Sequence, residues 1–130
     1  MPRRSIGLKQ LTAMQKMEIV VDAALDVKAE DVVALDVKEL SSFADVFVVA
    51  SGRSDRQVRA IADSIEAAVK NAGASPLGIE GHAEGHWVLI DLDDVIVHVF
   101  TPETRERYAI ERLWSDAAQA GAAAPAKEQP

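Results

Sequence analysis

The 130-residue chain contains no cysteine, and aromatic residues make up only 5% of it. Without cysteine there can be no disulfide and no thiolate metal site, which is typical of proteins kept in the reducing cytoplasm. No apolar run approaches the roughly 20 residues that a membrane-spanning helix needs. The N-terminus also lacks the apolar core and cleavage site of a secretory signal. These absences predict a cytoplasmic protein that does not cross a membrane.

Basic residues are scarce as well. The chain has 14 Lys and Arg against 21 Asp and Glu, for a formal net charge of −7, and no Lys or Arg lies between Asn71 and Thr104. Binding to nucleic acid through phosphates needs clustered basic side chains, so the composition disfavours that class of partner. The same segment concentrates negative charge, which suits a basic protein partner better than an anionic substrate. Its acidic residues are Glu80, Glu84, Asp91, Asp93, Asp94 and Glu103.

Two capping boxes predict the first two helices. Thr12 opens the pattern T-x-x-Q and Ser54 opens S-x-x-Q, and apolar residues follow each at helical spacing. We expect the first helix to run to about Lys28 and the second to end near Gly73. Thr101 followed by proline predicts the start of a third helix. Its apolar stripe would consist of Ile110, Leu113, Trp114 and Ala117.

Short apolar runs rich in β-branched residues predict five strands. They cover residues 32–37, 46–49, 77–79, 87–91 and 95–100. The resulting order, αββαβββα, predicts a single α/β domain with a mixed sheet of about five strands and helices packed against it.

The two ends of the chain lack this periodicity. Residues 1–11 predict a flexible N-terminal segment, and the Ala/Pro-rich residues 118–130 predict a disordered tail. The domain itself is expected to span residues 12–117.

Four segments resemble the Iojap-related ribosomal silencing factors. They are VVALDV (32–37), SSFADVFVVASGRSDRQVRAIAD (41–63), PLGIEG (76–81) and WVLIDLDDVIVHVFTPETRERYAIERLW (87–114). The resemblance covers residues 17–116 in the same order and spacing. It implies a fold related to nucleotidyltransferases but without their catalytic motif, and a protein with no cofactor and no metal site.

The resemblance also implies a function. Such a factor docks on the large ribosomal subunit through the interface protein numbered fourteen and sterically blocks joining of the small subunit, which represses translation. It forms a homodimer when it is free.

An acidic strand pair that carries a tryptophan is the best candidate for the docking face, because exposed tryptophans often dominate the binding energy of interfaces. The alternative for Trp87 is core packing against the last helix, and the alternative for the carboxylates is a solvated hairpin rim. For His98 the alternative is an ordinary buried histidine. The predicted docking residues are Trp87, Leu89, Asp91, Asp94, Ile96 and His98, extended by Glu80 and Tyr108.

A metal-dependent nucleotidyltransferase-like enzyme is the main alternative function. Asp91 and Asp93 form a D-x-D pattern that could hold a divalent cation for phosphoryl transfer, and Ser51-Gly52 could hold a phosphate. Against this, the D-x-D falls at a hairpin turn, and no basic group for a triphosphate lies nearby in the sequence.

Two weaker patterns complete the candidates. Arg53, Arg56 and Arg59 could form a basic stripe that touches rRNA peripherally, although an ordinary solvated helix face explains them better. His82 and His86 alternate with other residues in a predicted loop, which is a poor pattern for a metal site.

Overall fold

The computed structural model describes residues 7–113 and 118–119. A 3₁₀ turn at Leu8–Gln10 precedes the first helix. The helices are α1 (Ala13–Asp26), α2 (Asp55–Asn71), α3 (Pro102–Tyr108) and α4 (Ile110–Leu113). The strands are β1 (Glu30–Asp36), β2 (Val46–Ser51), β3 (Gly78–Glu80), β4 (Trp87–Asp91), β5 (Val95–Phe100) and β6 (Ala118–Gln119).

The strands form one mixed sheet in the order β3-β4-β5-β2-β1-β6. β2 and β5 are parallel, and every other neighbouring pair is antiparallel. The predicted α/β domain with five strands is therefore confirmed. The likeness to nucleotidyltransferases stays a prediction. A sixth strand of two residues, β6, pairs with β1 inside the segment predicted as a disordered tail.

Side-chain caps begin the two long helices. Thr12 Oγ1 accepts a hydrogen bond from the Gln15 N–H at 3.0 Å, and Gln15 Oε1 accepts from the Thr12 N–H at 2.8 Å, so the first capping box is complete. Ser54 Oγ accepts from the Gln57 N–H at 3.1 Å. The Gln57 side chain, however, accepts from the Arg53 N–H instead of returning to Ser54. The second box is therefore only half formed.

The sheet has one face fully covered by helices. α1 and α2 pack on it, and together they bury a large apolar cluster whose strand members alternate along each strand, such as Val88 and Ile90 in β4. Alternation places the remaining strand side chains on the opposite face, where a smaller cluster includes Phe47 and Ile96. Among the described residues, α1 and α2 leave this second face uncovered, and it carries α3, α4 and part of the segment between β1 and β2. It is therefore where a partner could approach the sheet.

The last predicted helix is interrupted. Ala109 takes the left-handed conformation with φ 49°, so α3 ends at Tyr108 and α4 begins at Ile110. Thr101 occupies the N-cap position, but its hydroxyl pairs with that of Thr104 at 2.8 Å rather than with a backbone N–H. α3 buries none of its residues, and Ile110 packs on the Phe47 cluster. Of the predicted apolar stripe, Trp114 and Ala117 lie outside the described residues.

The segment predicted to be flexible contains an ordered turn. Leu8 is buried in the core formed under α1 and α2, and the Gly7 N–H donates to Gly73 O at 2.8 Å. A single buried leucine in a three-residue turn has no period that the sequence could reveal. Within the described ranges, no helix is both long and apolar enough to span a bilayer.

Candidate docking face

Strand register brings six of the predicted docking residues onto the second face of the sheet. Leu89 lies opposite His98 on β5 and opposite Glu80 on β3, and Asp91 lies opposite Ile96. Residues directly opposite each other share a face, and so do residues two apart on one strand. We call this surface the Trp87 face. It consists of Glu80, Trp87, Leu89, Asp91, Ile96 and His98, with Tyr108 of α3 beside them.

Trp87 is half-buried, so its indole is neither sealed in the core nor fully exposed. Its ring centroid lies 5.0 Å from that of Phe100 and 4.7 Å from that of Tyr108. One portion of the ring therefore packs against neighbouring aromatics, and another portion meets solvent, where a partner could contact it. Docking through this ring stays a prediction. Tyr108 is 47% exposed and extends the aromatic surface beyond the sheet.

His98 lies beneath Trp87 and fixes its orientation. The indole Nε1–H donates to His98 Nδ1 at 3.1 Å. The imidazole is 5% exposed, and this burial lowers its pKa from 6.5 to about 4 because the charged form would lose its hydration. A ring that accepts at Nδ1 and stays neutral carries its proton on Nε2, which has no hydrogen-bond partner among the described residues.

Burial divides the face into a contacting layer and a supporting layer. Ile96 is 8% exposed and His98 only 5%, so neither offers much surface to a partner. Glu80 is exposed, while Leu89 and Asp91 are half-buried. The side chains that a partner could touch are therefore Glu80, Trp87, Leu89 and Asp91, with Tyr108 at the edge.

The structure does not bring Asp94 to the Trp87 face. Its carboxylate accepts a hydrogen bond from Lys16 Nζ at 2.5 Å, and the same ammonium donates to Leu92 O at 3.2 Å. Lys16 belongs to α1 and is 2% exposed, so this ion pair joins α1 to the β4–β5 turn on the helix-covered side of the sheet. Asp94 therefore stabilises the fold and is not available to a partner on the Trp87 face. No local pattern around Asp94 indicates this ion pair, because Lys16 lies 78 residues away along the chain.

The D-x-D carboxylates shape the hairpin turn. Asp91 Oδ1 accepts from the Asp93 N–H at 2.9 Å, and Asp93 has a positive φ of 78°. Such a bond between an aspartate and the amide two residues on is a common turn device. Within residues 7–113 and 118–119, no three His, Cys, Asp or Glu side chains are placed to hold a metal together. Asp91 therefore has a structural role in the turn.

The predicted basic stripe is largely occupied by internal contacts. Arg53 Nε donates to Glu30 Oε2 at 2.8 Å, and Arg59 donates to the carbonyl oxygens of Ala83 and Glu84. Arg56 is exposed. Glu30 therefore offsets the charge of Arg53, whereas Arg59 is held by carbonyl oxygens that leave its charge in place.

The two loop histidines pair with α2 rather than with each other. His82 Nε2 lies 2.8 Å from Asp63 Oδ1, and His86 Nδ1 lies 3.0 Å from Asp55 Oδ1. Together with Arg59 they hold the loop before β4 against α2, which fixes where β4 begins.

Three residues that support the site were not singled out from the sequence. Phe47 and Phe100 flank His98, with ring centroids 5.1 Å and 6.0 Å from the imidazole. Gly81 has φ +83°, and a Cβ added there would lie 2.1 Å from Trp87 O, so only glycine lets β3 approach β4 this closely. Alternation along β2 and β5 could have found both phenylalanines, since each shares a face with His98.

The sequence model of the family described as "Ribosomal silencing factor during starvation" matches residues 10–130. The chain belongs to this family. The ribosomal silencing factor of Chromobacterium violaceum is 43% identical over 97 residues, which are 75% of this chain and 80% of that protein. The resemblance to silencing factors read from the sequence is therefore confirmed.

Solved structures agree with the fold of this silencing-factor family member. A crystal structure of a protein from Chromobacterium violaceum matches with a TM-score of 0.79 at 38% identity, covering 89% of this chain and 96% of that one. A more distant mouse relative is named "Mitochondrial assembly of ribosomal large subunit protein 1". It is 28% identical over 102 residues, which are 76% of this chain and 45% of the mouse protein.

Proposed function

We propose that the chain is a ribosome-associated repressor of translation, acting in the cytoplasm. It binds the interface protein numbered fourteen of the large subunit through the Trp87 face, and it represses translation by blocking the small subunit. Membership of the silencing-factor family supports the ribosomal role. The name of the mouse relative, which refers to the large ribosomal subunit, supports the choice of subunit.

One structural observation carries the choice of surface. Trp87 is half-buried and held by three neighbouring rings on the only sheet face that α1 and α2 leave uncovered in the described part of the chain. A large aromatic side chain in a fixed orientation contributes contact area to an interface at little entropic cost. Glu80 and Asp91 place negative charge beside it, which complements a basic ribosomal protein.

A protein that blocks subunit joining must bind the large subunit and occupy space, but it does not need to catalyse a reaction. Asp91 takes part in a turn, and Ser51 Oγ accepts a hydrogen bond from Arg105 at 2.7 Å, so both candidate catalytic groups already have local contacts. A repressor that acts as an obstacle is therefore the function that the geometry favours over phosphoryl transfer.

Sedimentation with separated ribosomal subunits tests the proposal. The wild type should comigrate with large subunits and reduce their joining to small subunits, whereas Trp87→Ala should lose both effects. Leu25→Ala is a matched control, because Leu25 is 44% exposed on α1, which covers the other face of the sheet. Circular dichroism checks that both variants remain folded.

The outcomes distinguish an error in the proposed binding surface from an error in the proposed blocking mechanism. Normal binding by Trp87→Ala would show that the interface lies elsewhere, while comigration without any effect on joining would contradict the blocking mechanism. Asp91→Lys is the charge test, because Asp91 is half-exposed on the face. It should weaken binding and reduce its salt dependence. Asp94→Lys is unsuited to this purpose, since it would place a second cation beside buried Lys16.

We also propose that the free protein is a homodimer, as the family resemblance implies. Sedimentation equilibrium without ribosomes should give twice the chain mass, and a single-chain mass across the concentrations of the assay would contradict this.

A further inference from the structure

A small pocket opens on the Trp87 face between β3 and β4. Its volume is about 240 Å³, and it is lined by Glu80, Gly81, Trp87 and Leu89. Pockets that hold small molecules usually measure roughly 300–1,000 Å³. The size therefore suits one inserted side chain better than a free ligand.

Strand register and one glycine shape the backbone around this pocket. Glu80 lies directly opposite Leu89 in the β3–β4 ladder, so the two side chains stand side by side. At Gly81 a Cβ would meet the backbone Trp87 O at 2.1 Å, so only glycine lets the chain pass this close to β4. The pocket therefore lies where the register sets Glu80 beside Leu89 and where a glycine allows the close approach.

The walls have three different chemical characters. Trp87 supplies an aromatic surface whose orientation is set by its hydrogen bond to His98. Leu89 supplies apolar surface, and the exposed Glu80 supplies a carboxylate. An apolar stem that ends in a positive charge matches all three at once, because the stem packs on the apolar walls while the charge meets the indole and the carboxylate.

We propose that this pocket receives one cationic side chain, arginine in preference to lysine, from the ribosomal protein bound by the Trp87 face. The inference rests on the function proposed above. A planar guanidinium stacks on an aromatic face and pairs with a carboxylate through two hydrogen bonds, which an ammonium does not do. No Lys or Arg of this chain lies between Asn71 and Thr104, so the segment that forms the pocket supplies no cation of its own.

The test compares two variants that remove one negative charge each. Glu80→Gln takes the carboxylate out of the pocket while keeping the side-chain shape. Glu84→Gln makes the same change four residues away, at an exposed position that does not line the pocket. Affinity for purified large subunits is measured by pelleting over a series of salt concentrations, and circular dichroism confirms the fold of each variant.

Glu80→Gln should weaken binding about tenfold and reduce the salt dependence, whereas Glu84→Gln should bind like the wild type. Glu80→Lys, which would fill the pocket with a like charge, should weaken binding further than Glu80→Gln. If Glu80→Gln and Glu84→Gln lose affinity equally, the proposed pocket contact is refuted, and a diffuse negative field explains the binding instead.

Failure of the pocket and failure of the proposed function give different results. If Trp87→Ala loses binding but Glu80→Gln does not, the result supports the docking face and refutes the insertion of a cationic side chain into the pocket. If the wild type itself does not pellet with large subunits, the proposed function fails and the pocket proposal falls with it.

Discussion

Acidification should destabilise the fold in part through one buried residue, His98. Burial lowers the pKa of its imidazole from 6.5 to about 4, so between these values the unfolded chain holds a proton that the folded chain does not. Stability is therefore complete above pH 6.5 and is lost as the pH falls toward 4. Linkage between the two pKa values gives a loss of about 2 kcal/mol on going from pH 7.5 to pH 5, and about 3 kcal/mol by pH 4.

The reason for the lowered pKa lies in the surroundings of the ring. Nδ1 accepts from the Trp87 indole, so protonation there would replace an acceptor with a donor facing a donor. Nε2 has no partner among the described residues, so a charged imidazolium would gain no compensating acceptor from them. Phe47 and Phe100 pack against the ring and exclude water. Protonation should therefore both destabilise the fold and release the indole of the Trp87 face.

Urea unfolding at pH 7.5 and pH 5 measures the effect. His98→Asn is the informative variant, because the amide oxygen can accept from the indole but does not titrate. The wild type should lose about 2 kcal/mol more than His98→Asn over this interval, since carboxylates contribute equally to both proteins. His86→Asn is the matched control at a histidine whose side chain is 59% exposed, and it should follow the wild type. Equal losses in the wild type and His98→Asn would refute the assignment to His98.

Further substitutions test the supports of the face by chemical or thermal unfolding. Gly81→Ala should cost at least about 2 kcal/mol, because its Cβ would collide with Trp87 O, whereas Gly78→Ala meets nothing within 4 Å and should be nearly neutral. Asp94→Asn should cost about 3 kcal/mol, since it leaves the buried ammonium of Lys16 without its carboxylate. Lys16→Met should cost less, because Asp94 is 35% exposed and stays hydrated. The reverse order would contradict this account of the ion pair.

Local patterns were sufficient to predict most of the fold. Capping boxes and helical spacing located α1 and α2, and alternation located β4, because these elements bury one face and leave the other partly exposed. β5 is buried on both faces, and its run of β-branched residues located it. The break at Ala109 could not be foreseen, since neither glycine nor proline occurs there. Short-range sequence patterns indicate the secondary-structure preference of a segment. The left-handed conformation of a single residue such as Ala109 depends instead on what the chain packs against.

The sequence predicted correctly which residues of the β4–β5 strand pair share a face, but it could not predict contacts between this pair and other elements. Alternation correctly placed Trp87, Leu89 and Asp91 on one side, and pairing with β5 added His98. Asp94 could not be separated from them, because its ion pair with Lys16 depends on how α1 crosses the sheet. That crossing is a long-range packing feature with no signature in the sequence near the hairpin.

The half-burial of Trp87 reconciles the two interpretations that the sequence left open. An indole with no packed neighbours would have to be ordered when the partner binds, and that loss of freedom would reduce the affinity. A sealed indole would offer no contact area. Here His98, Phe100 and Tyr108 hold the ring before any partner arrives, while its remaining surface stays available. If the Trp87 face is the docking face proposed above, this aromatic packing prepares the ring for binding. Weakening it at His98 should then reduce affinity for large subunits, even though His98 itself is too deeply buried to offer a partner much surface.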